Sequence, residues 1–131
     1  MTRFKNKTLA ALAAALLGWA GAHRFYLHGS NDWRPWLYPL FTVIGMLAAL
    51  VWLPAITVAV IVLYTAFIEA LVIALRPDEK WDARWNAGTG RANDSGWGVV
   101  FIAALTLAFG VGLLMTLLAI AFQALLGVTP N

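Results

Sequence analysis

Apolar residues in this chain fall into long runs with few polar interruptions. The first run extends from Leu9 to Ala22, the second from Trp36 to Leu53, the third from Ala55 to Leu75 and the fourth from Gly98 to Leu126. Crossing a bilayer takes roughly 20 apolar residues of helix. At 1.5 Å per residue the first run gives about 21 Å of helix, the second about 27 Å and the fourth about 43 Å. The second and third joined would reach about 60 Å, twice the hydrocarbon thickness, so the chain must reverse between them. Pro54, next to Trp52, is the expected point. The fourth run exceeds a bilayer and is expected to tilt, kink or project, with Gly110 and Gly112 as its flex point. The first spans only if its helix continues through Leu27. A tilted, short or re-entrant segment is the alternative.

The polar positions divide the runs. His28 to Pro35 reads as a short turn, with Asp32 placed to cap the next helix and Pro35 suited to its first turn. Arg76 to Gly96 is the long polar segment. Pro77, Asp78 and Glu79 are helix-start residues, and Trp81 and Trp85 then share a face beside Lys80 and Arg84. That pattern predicts a short helix lying on the membrane surface. Asn86 to Gly96, rich in Gly, Asn, Ser and Thr, is expected to be a mobile loop. Trp33, Trp36, Trp81, Trp85 and Trp97 are expected in the aromatic belt at the membrane–water interface.

Small residues recur at steps of four. Ala10, Ala14, Gly18 and Ala22 would share one face of the first helix, and Ala104, Ala108 and Gly112 one face of the last. Such stripes let membrane helices approach closely. Gln123 is expected to face another helix or water. The Asn-x-Ser/Thr triplets at Asn6 and Asn93 are short enough to be chance.

Composition agrees with the pattern. Of 131 residues, 62% are hydrophobic and 11% charged, against about 25% charged in an ordinary soluble domain. The expected fold is an all-α integral membrane protein, a small bundle of about four transmembrane helices with the first one short, plus a short interfacial helix in the 76–96 loop. Residues 1–76 would form a membrane domain, 77–96 an amphipathic, mobile loop, and 97–131 an additional transmembrane helix. Ala20-Gly21-Ala22 also has the form of a secretory cleavage site, but the membrane pattern continues beyond it. The net charge of +3 points to anionic lipid headgroups rather than nucleic acid, because the basic residues lie in the N-terminal tail and two loops. Basic residues of the tail and of the loops favour opposite orientations. With no cysteine, thiol chemistry is excluded.

The candidate chemistry sits at the end of the first run. Gly18 to Gly29 reads G-W-A-G-A-H-R-F-Y-L-H-G and brings His23, Arg24, Tyr26 and His28 together. Glu69 lies inside the third run, where a lone carboxyl group is costly and needs a partner. If alternate runs cross in opposite directions, Glu69 lies near the face that carries Arg24, and an Arg24–Glu69 or His23–Glu69 contact is expected. Arg24→Ala should then reduce folded yield, and Glu69→Gln should cost less. The histidines are five residues apart, against the i, i+4 spacing of helical metal sites, so no metal or other cofactor is expected. No nucleophile with a paired base, phosphate loop or paired acids occurs, so no enzyme activity is expected.

The run K-N-K, an Ala/Leu helix and then G-W-A-G-A-H-R-F-Y-L closely resembles the TM-two (two-transmembrane) domain family, over roughly residues 5–75. The resemblance implies a small integral membrane protein. Carried over by residue, it marks Gly18, Gly21, His23, Arg24, Phe25, Tyr26 and Leu27, with Glu69 as an acidic residue in the family's isoleucine–acid context. His28 departs from the pattern by standing before Gly29. The resemblance supplies architecture and no reaction. The function expected is a structural or interaction module in the membrane, multi-pass and in a bacterial inner membrane, whose partners are lipid and other membrane proteins or a second copy of itself. The alternative is an ion or proton transporter or channel, an oligomer using Glu69 and His23.

Overall fold

The computed structural model describes residues 3–127, and every regular element among them is helical. The outermost residues of the first and last predicted segments, 1–2 and 128–131, lie outside the described residues. Six α-helices follow in order: α1 (Lys7–Leu17), α2 (Ala22–His28), α3 (Leu37–Ala49), α4 (Ile56–Leu75), α5 (Asp78–Trp85) and α6 (Gly96–Leu125). The chain reverses between α3 and α4 through a one-turn 3-10 helix at Leu53–Ala55. Pro54 sits within that turn, where its fixed φ and missing N–H are tolerated.

The central element is α4, against which α1, α3 and α6 all pack. Ala66, Ala70 and Ala74 form a buried stripe of small side chains along it. Ala10 and Ala14 of α1 are likewise fully buried, and Ala10, Ala14, Ala70 and Ala74 lie in one core cluster. A Cβ on Gly18 would stand 2.3 Å from the Cβ of Ala66, so only glycine fits where the chain crosses α4. Close backbone approach of this kind is how membrane helices gain dispersion energy without a hydrophobic driving force.

The first segment is not one helix. It stops at Leu17, passes through a 3-10 turn at Gly18–Ala20, and restarts at Ala22. Gly21 makes the break, with φ 73° and its N–H donating to the Gly18 carbonyl. The condition of one helix through Leu27 is therefore not met, and the short first segment is the form observed. Ala22 is corrected, since it leaves the Ala10–Gly18 stripe and is only half-buried.

Two helical stretches are long and apolar enough to cross a membrane, Leu53–Leu75 and Gly96–Leu125. Helices α1 and α3 have 11 and 13 residues, or about 16 and 20 Å at 1.5 Å per residue. Helix α6 runs through Gly110 and Gly112 with no interruption at the expected flex point. Gly110 instead takes the Phe67 ring against its Cα, and the Tyr64 hydroxyl donates to its carbonyl at 2.7 Å. The expected packing stripe on α6 is also corrected. Ala104, Ala108 and Gly112 are exposed, and the face turned to the bundle carries Val99, Thr106 and Gly110. The reason is rotational: Tyr64 and Phe67 dock on Gly110, which turns Gly112 outward.

Apolar exposure is extensive. Leu105, Phe109, Met115 and Phe122 of α6 are all more than half exposed, as are Leu40, Met46 and Leu47 of α3. Contiguous apolar surface on this scale marks contact with lipid or with partner protein.

Candidate functional site

Glu69 is the meeting point of three segments. Arg24 of α2 donates to it twice, Nε to Oε2 at 3.0 Å and Nη2 to Oε1 at 2.8 Å. His23 Nε2 contacts Oε2, and the Tyr38 hydroxyl of α3 donates to Oε1. The break at Gly21 makes this possible, because it redirects α2 so that consecutive residues His23 and Arg24 both reach α4. A Cβ on Gly21 would also meet the Pro35 carbonyl oxygen at 2.8 Å and Tyr38 Cβ at 2.9 Å, so the same glycine lets α2 lie against the start of α3. His23 is buried, while the Arg24 side chain is 38% exposed. The ring of His23 stands edge-on to Tyr38.

These contacts alter the expectation for Glu69→Gln. The carboxylate accepts four hydrogen bonds, whereas an amide offers one oxygen and turns an NH2 donor toward other donors. Tyr38 was not anticipated. Its signal was its position at the start of the second run, on the same membrane level as Arg24.

The other motif residues serve as local braces. Phe25 packs edge-to-face on Trp36 at 4.9 Å between centroids. The Tyr26 hydroxyl accepts from Asn6 N at 2.8 Å, and its carbonyl accepts from Lys5 Nζ at 2.6 Å. Leu27 packs against the core cluster. Asp32 accepts from Arg34 N at 3.0 Å and caps the turn into α3. Gln123 is exposed.

A second polar cluster joins the N-terminal tail to the 78–95 segment. Lys7 is buried, paired with Asp78 at 2.8 Å, and donates to the Arg76 carbonyl at the end of α4 at 2.5 Å. A cation there also complements the helix macrodipole. The Lys5 carbonyl accepts from Trp81 Nε1, Asn86 Nδ2 and Asn93 Nδ2 at 3.0, 2.9 and 3.2 Å. Asn93 further binds Asp82 through both its backbone N–H and its side chain, at 2.8 and 2.6 Å. Ser95 does the same to Asp78, at 3.0 and 2.6 Å. Burial works to raise the Asp78 carboxyl, but hydrogen bonds from Lys7 and Ser95 outweigh it and hold the group below its ordinary range. Asp82 is lowered in the same way by Asn86 and Asn93.

Three expectations are corrected by this cluster. Lys5 and Lys7 are engaged inside the protein rather than left to lipid headgroups. The loop after Asn86 is pinned by Asn86 and Asn93. Trp81 is 1% exposed and belongs to the core rather than the interface. Trp85 is half-buried against Trp81 and His28. Trp33, Trp36 and Trp97 are 67%, 55% and 76% exposed, open to a surrounding phase. The two asparagines dismissed as chance triplets are structural, Asn6 as the cap of α1 and Asn93 as the loop's anchor. Sequence could have flagged Asn6 through its place directly before a helix start.

Among the described residues, no group of three or more His, Cys, Asp or Glu side chains is arranged to hold a metal ion. Arg24, Arg34, Arg76 and Arg84 line a cleft of about 310 Å³ beside the Glu69 cluster, together with His23, His28 and Trp85. No curated protein and no solved structure matches the chain. The model of one family does match, the TM2 domain, over residues 3–57. That segment covers α1, α2, α3 and the turn into α4 and stops short of Glu69, so the partner of the motif lies outside the matched region. The N-terminal part of this membrane protein, residues 3–57, is thus matched as a TM2 domain.

Proposed function

We propose that the chain is a multi-pass structural or interaction module of the membrane, in which the TM2 domain and the following helices form one bundle. The observation that carries this reading is the joint at Glu69, where side chains from α2 and α3 converge on one carboxylate of α4. A carboxylate engaged by four donors is a fastening, and its removal would release two segments from the central helix. In this reading α1 with α2, and then α3, traverse the bilayer as short segments beside α4 and α6, giving four passes in a bacterial inner membrane. The exposed apolar faces of α3 and α6 meet lipid, other membrane proteins or a second copy. No reaction, cofactor or nucleic acid forms part of this function.

Ion or proton transport is the competing reading, and one observation favours it: the Nδ1 of His23 is buried without a hydrogen-bond partner beside Glu69. Transporters, however, place several ionisable groups near the bilayer midplane, often on broken helices, whereas Glu69 lies near the end of α4. The test is affinity purification of the full chain from native membranes, paired with proton and ion flux in liposomes. Retained membrane partners without flux support the module. Flux that Glu69→Gln abolishes while the protein stays folded would replace it with the transporter.

A further inference from the structure

The arginine cleft is built from separate parts of the chain: Arg24 on α2, Arg34 before α3, Arg76 at the end of α4 and Arg84 on α5. One carboxylate, Glu69, stands in the same wall, and it is already held by Arg24, His23 and Tyr38. Arg34, Arg76 and Arg84 form no ion pair among the described residues. Four guanidinium groups against one carboxylate leave a strong positive excess. The α4 C-terminus contributes roughly half a negative charge at most, and Lys7 already complements it.

The unpartnered polar atoms lie in the same place, and one of them, on Trp85, lacks an acceptor. His23 Nδ1 and Trp85 Nε1 are the buried side-chain polar atoms without a partner among the described residues, and both residues line this cleft. An indole N–H is a donor only, so Trp85 lacks an acceptor where the positive charge is concentrated. Buried donors left unsatisfied are uncommon and call for a cause.

The cleft continues into an apolar groove. Val72, Arg76 and Arg84 also line a neighbouring hollow of about 720 Å³, whose floor is Ile68, Leu71 and Leu75 on the outer side of α4 and whose rim adds Lys80. Ile68, Val72 and Leu75 are exposed, at 60%, 50% and 74%. Arg76 stands directly after the apolar span that ends at Leu75, at the level where hydrocarbon gives way to headgroups. A planar guanidinium fork matches phosphate geometry, and basic pockets beside membrane helices suit anionic headgroups.

We infer that cleft and groove together form a site for one anionic phospholipid, its phosphodiester among the arginines and an acyl chain along Ile68, Val72 and Leu75. The site rests on the membrane placement of α4 and is independent of whether the chain is a module or a transporter. Lipid bound here would tie α2, α4 and α5 together beside the Glu69 joint.

Native mass spectrometry of the full chain in neutral detergent tests this with three probes: dioleoylphosphatidylglycerol, dioleoylphosphatidylcholine and inorganic phosphate. One phosphatidylglycerol should be retained in clear preference to phosphatidylcholine. Arg76→Gln with Arg84→Gln should weaken it roughly 30-fold, the effect of two basic groups beside an anionic lipid. Arg91→Gln, which removes a charge that lies over Phe4 outside the cleft, should leave it unchanged. If the double variant loses helicity, Arg34→Gln at an exposed side chain gives the same reading with roughly a fivefold loss. Equal retention of the two lipids would overturn the site, as would an Arg91→Gln effect as large as the double variant's. Displacement of phosphatidylglycerol by millimolar inorganic phosphate would also overturn it, leaving a free-anion site without a lipid.

Discussion

Gly18→Ala is the sharpest probe of the packing that positions the motif. The backbone at Gly18 has φ −64°, which alanine adopts without strain, so any cost comes from contact alone. The added Cβ would stand 2.3 Å from Ala66 Cβ, against an optimum of about 3.5–4.0 Å between carbon atoms. Ala66 is fully buried and its methyl has no rotamer to adopt, so the turn and α4 must move apart by roughly 1 Å or more. Overpacking of this kind costs about 1–3 kcal/mol, and a rigid methyl–methyl clash belongs at the upper end. The reciprocal change supplies the control. With Ala66→Gly, the new Cβ would meet the Ala66 Cα at 3.5 Å, an ordinary contact. Ala66→Gly alone removes a packed methyl and costs about 1 kcal/mol in helix propensity. The double variant should therefore be more stable than the sum of the singles by about 1–2 kcal/mol, a coupling that a double-mutant cycle resolves. Unfolding followed by far-UV circular dichroism in mixed micelles of increasing sodium dodecyl sulfate gives the four values. Additive costs, or a Gly18→Ala protein as stable as the parent, would refute the close approach of this turn to α4.

Glu69→Gln should destabilise more than Arg24→Ala in the same assay. The first leaves Arg24, His23 and Tyr38 without a full set of acceptors, whereas the second leaves Glu69 with His23 and Tyr38; breaking a buried pair costs about 3–5 kcal/mol, and the partial exposure of Arg24 lowers that. Gly112→Ala, with nothing within 4 Å of the new methyl, should be neutral or slightly stabilising, and a large loss would place that face in contact with another chain. Asp78 and Asp82 are both held below the usual carboxylate range, so their contribution is present above the unfolded pKa near 3.8 and is lost as pH falls through the lower folded values. The contribution of these two carboxylates to the unfolding midpoint should hold from pH 7 to about 4 and drop below it, and Asp78→Asn should flatten that drop. Asn93→Ala should free the 87–95 loop, read as faster proteolytic cutting there, because it removes the bonds to Lys5, Lys7 and Asp82.

Apolar run lengths placed α3, α4, α6 and the turn at Pro54, because a bilayer sets how much uninterrupted apolar sequence a crossing needs, but they did not show the break in the first segment. The H-R-F-Y-L motif and the lone Glu69 were legible for the same reason, since polar groups among so many apolar ones must find one another. Rotation about each helix axis was not legible. Both α1 and α6 carry stripes of small residues at the same spacing, yet Ala10 and Ala14 are buried while Ala104, Ala108 and Gly112 face outward. The α4 stripe of Ala66, Ala70 and Ala74 went unnoticed beside Glu69, although its spacing was equally visible. Nor could the tail network be read. Lys5, Lys7, Trp81, Asn86 and Asn93 look alike in sequence whether they face headgroups or one another, because any of them satisfies its hydrogen bonds equally well in water. Sequence by itself therefore determined the apolar spans and the need of Glu69 for a partner, which follow from the cost of polar groups in an apolar run, while the TM2 domain was legible only through the resemblance of its motif. Tertiary structure decided which faces touch, which tryptophans are core and which arginines remain unpaired. Those depend on pairs of residues distant in the chain, and only the packing of whole helices fixes their separation.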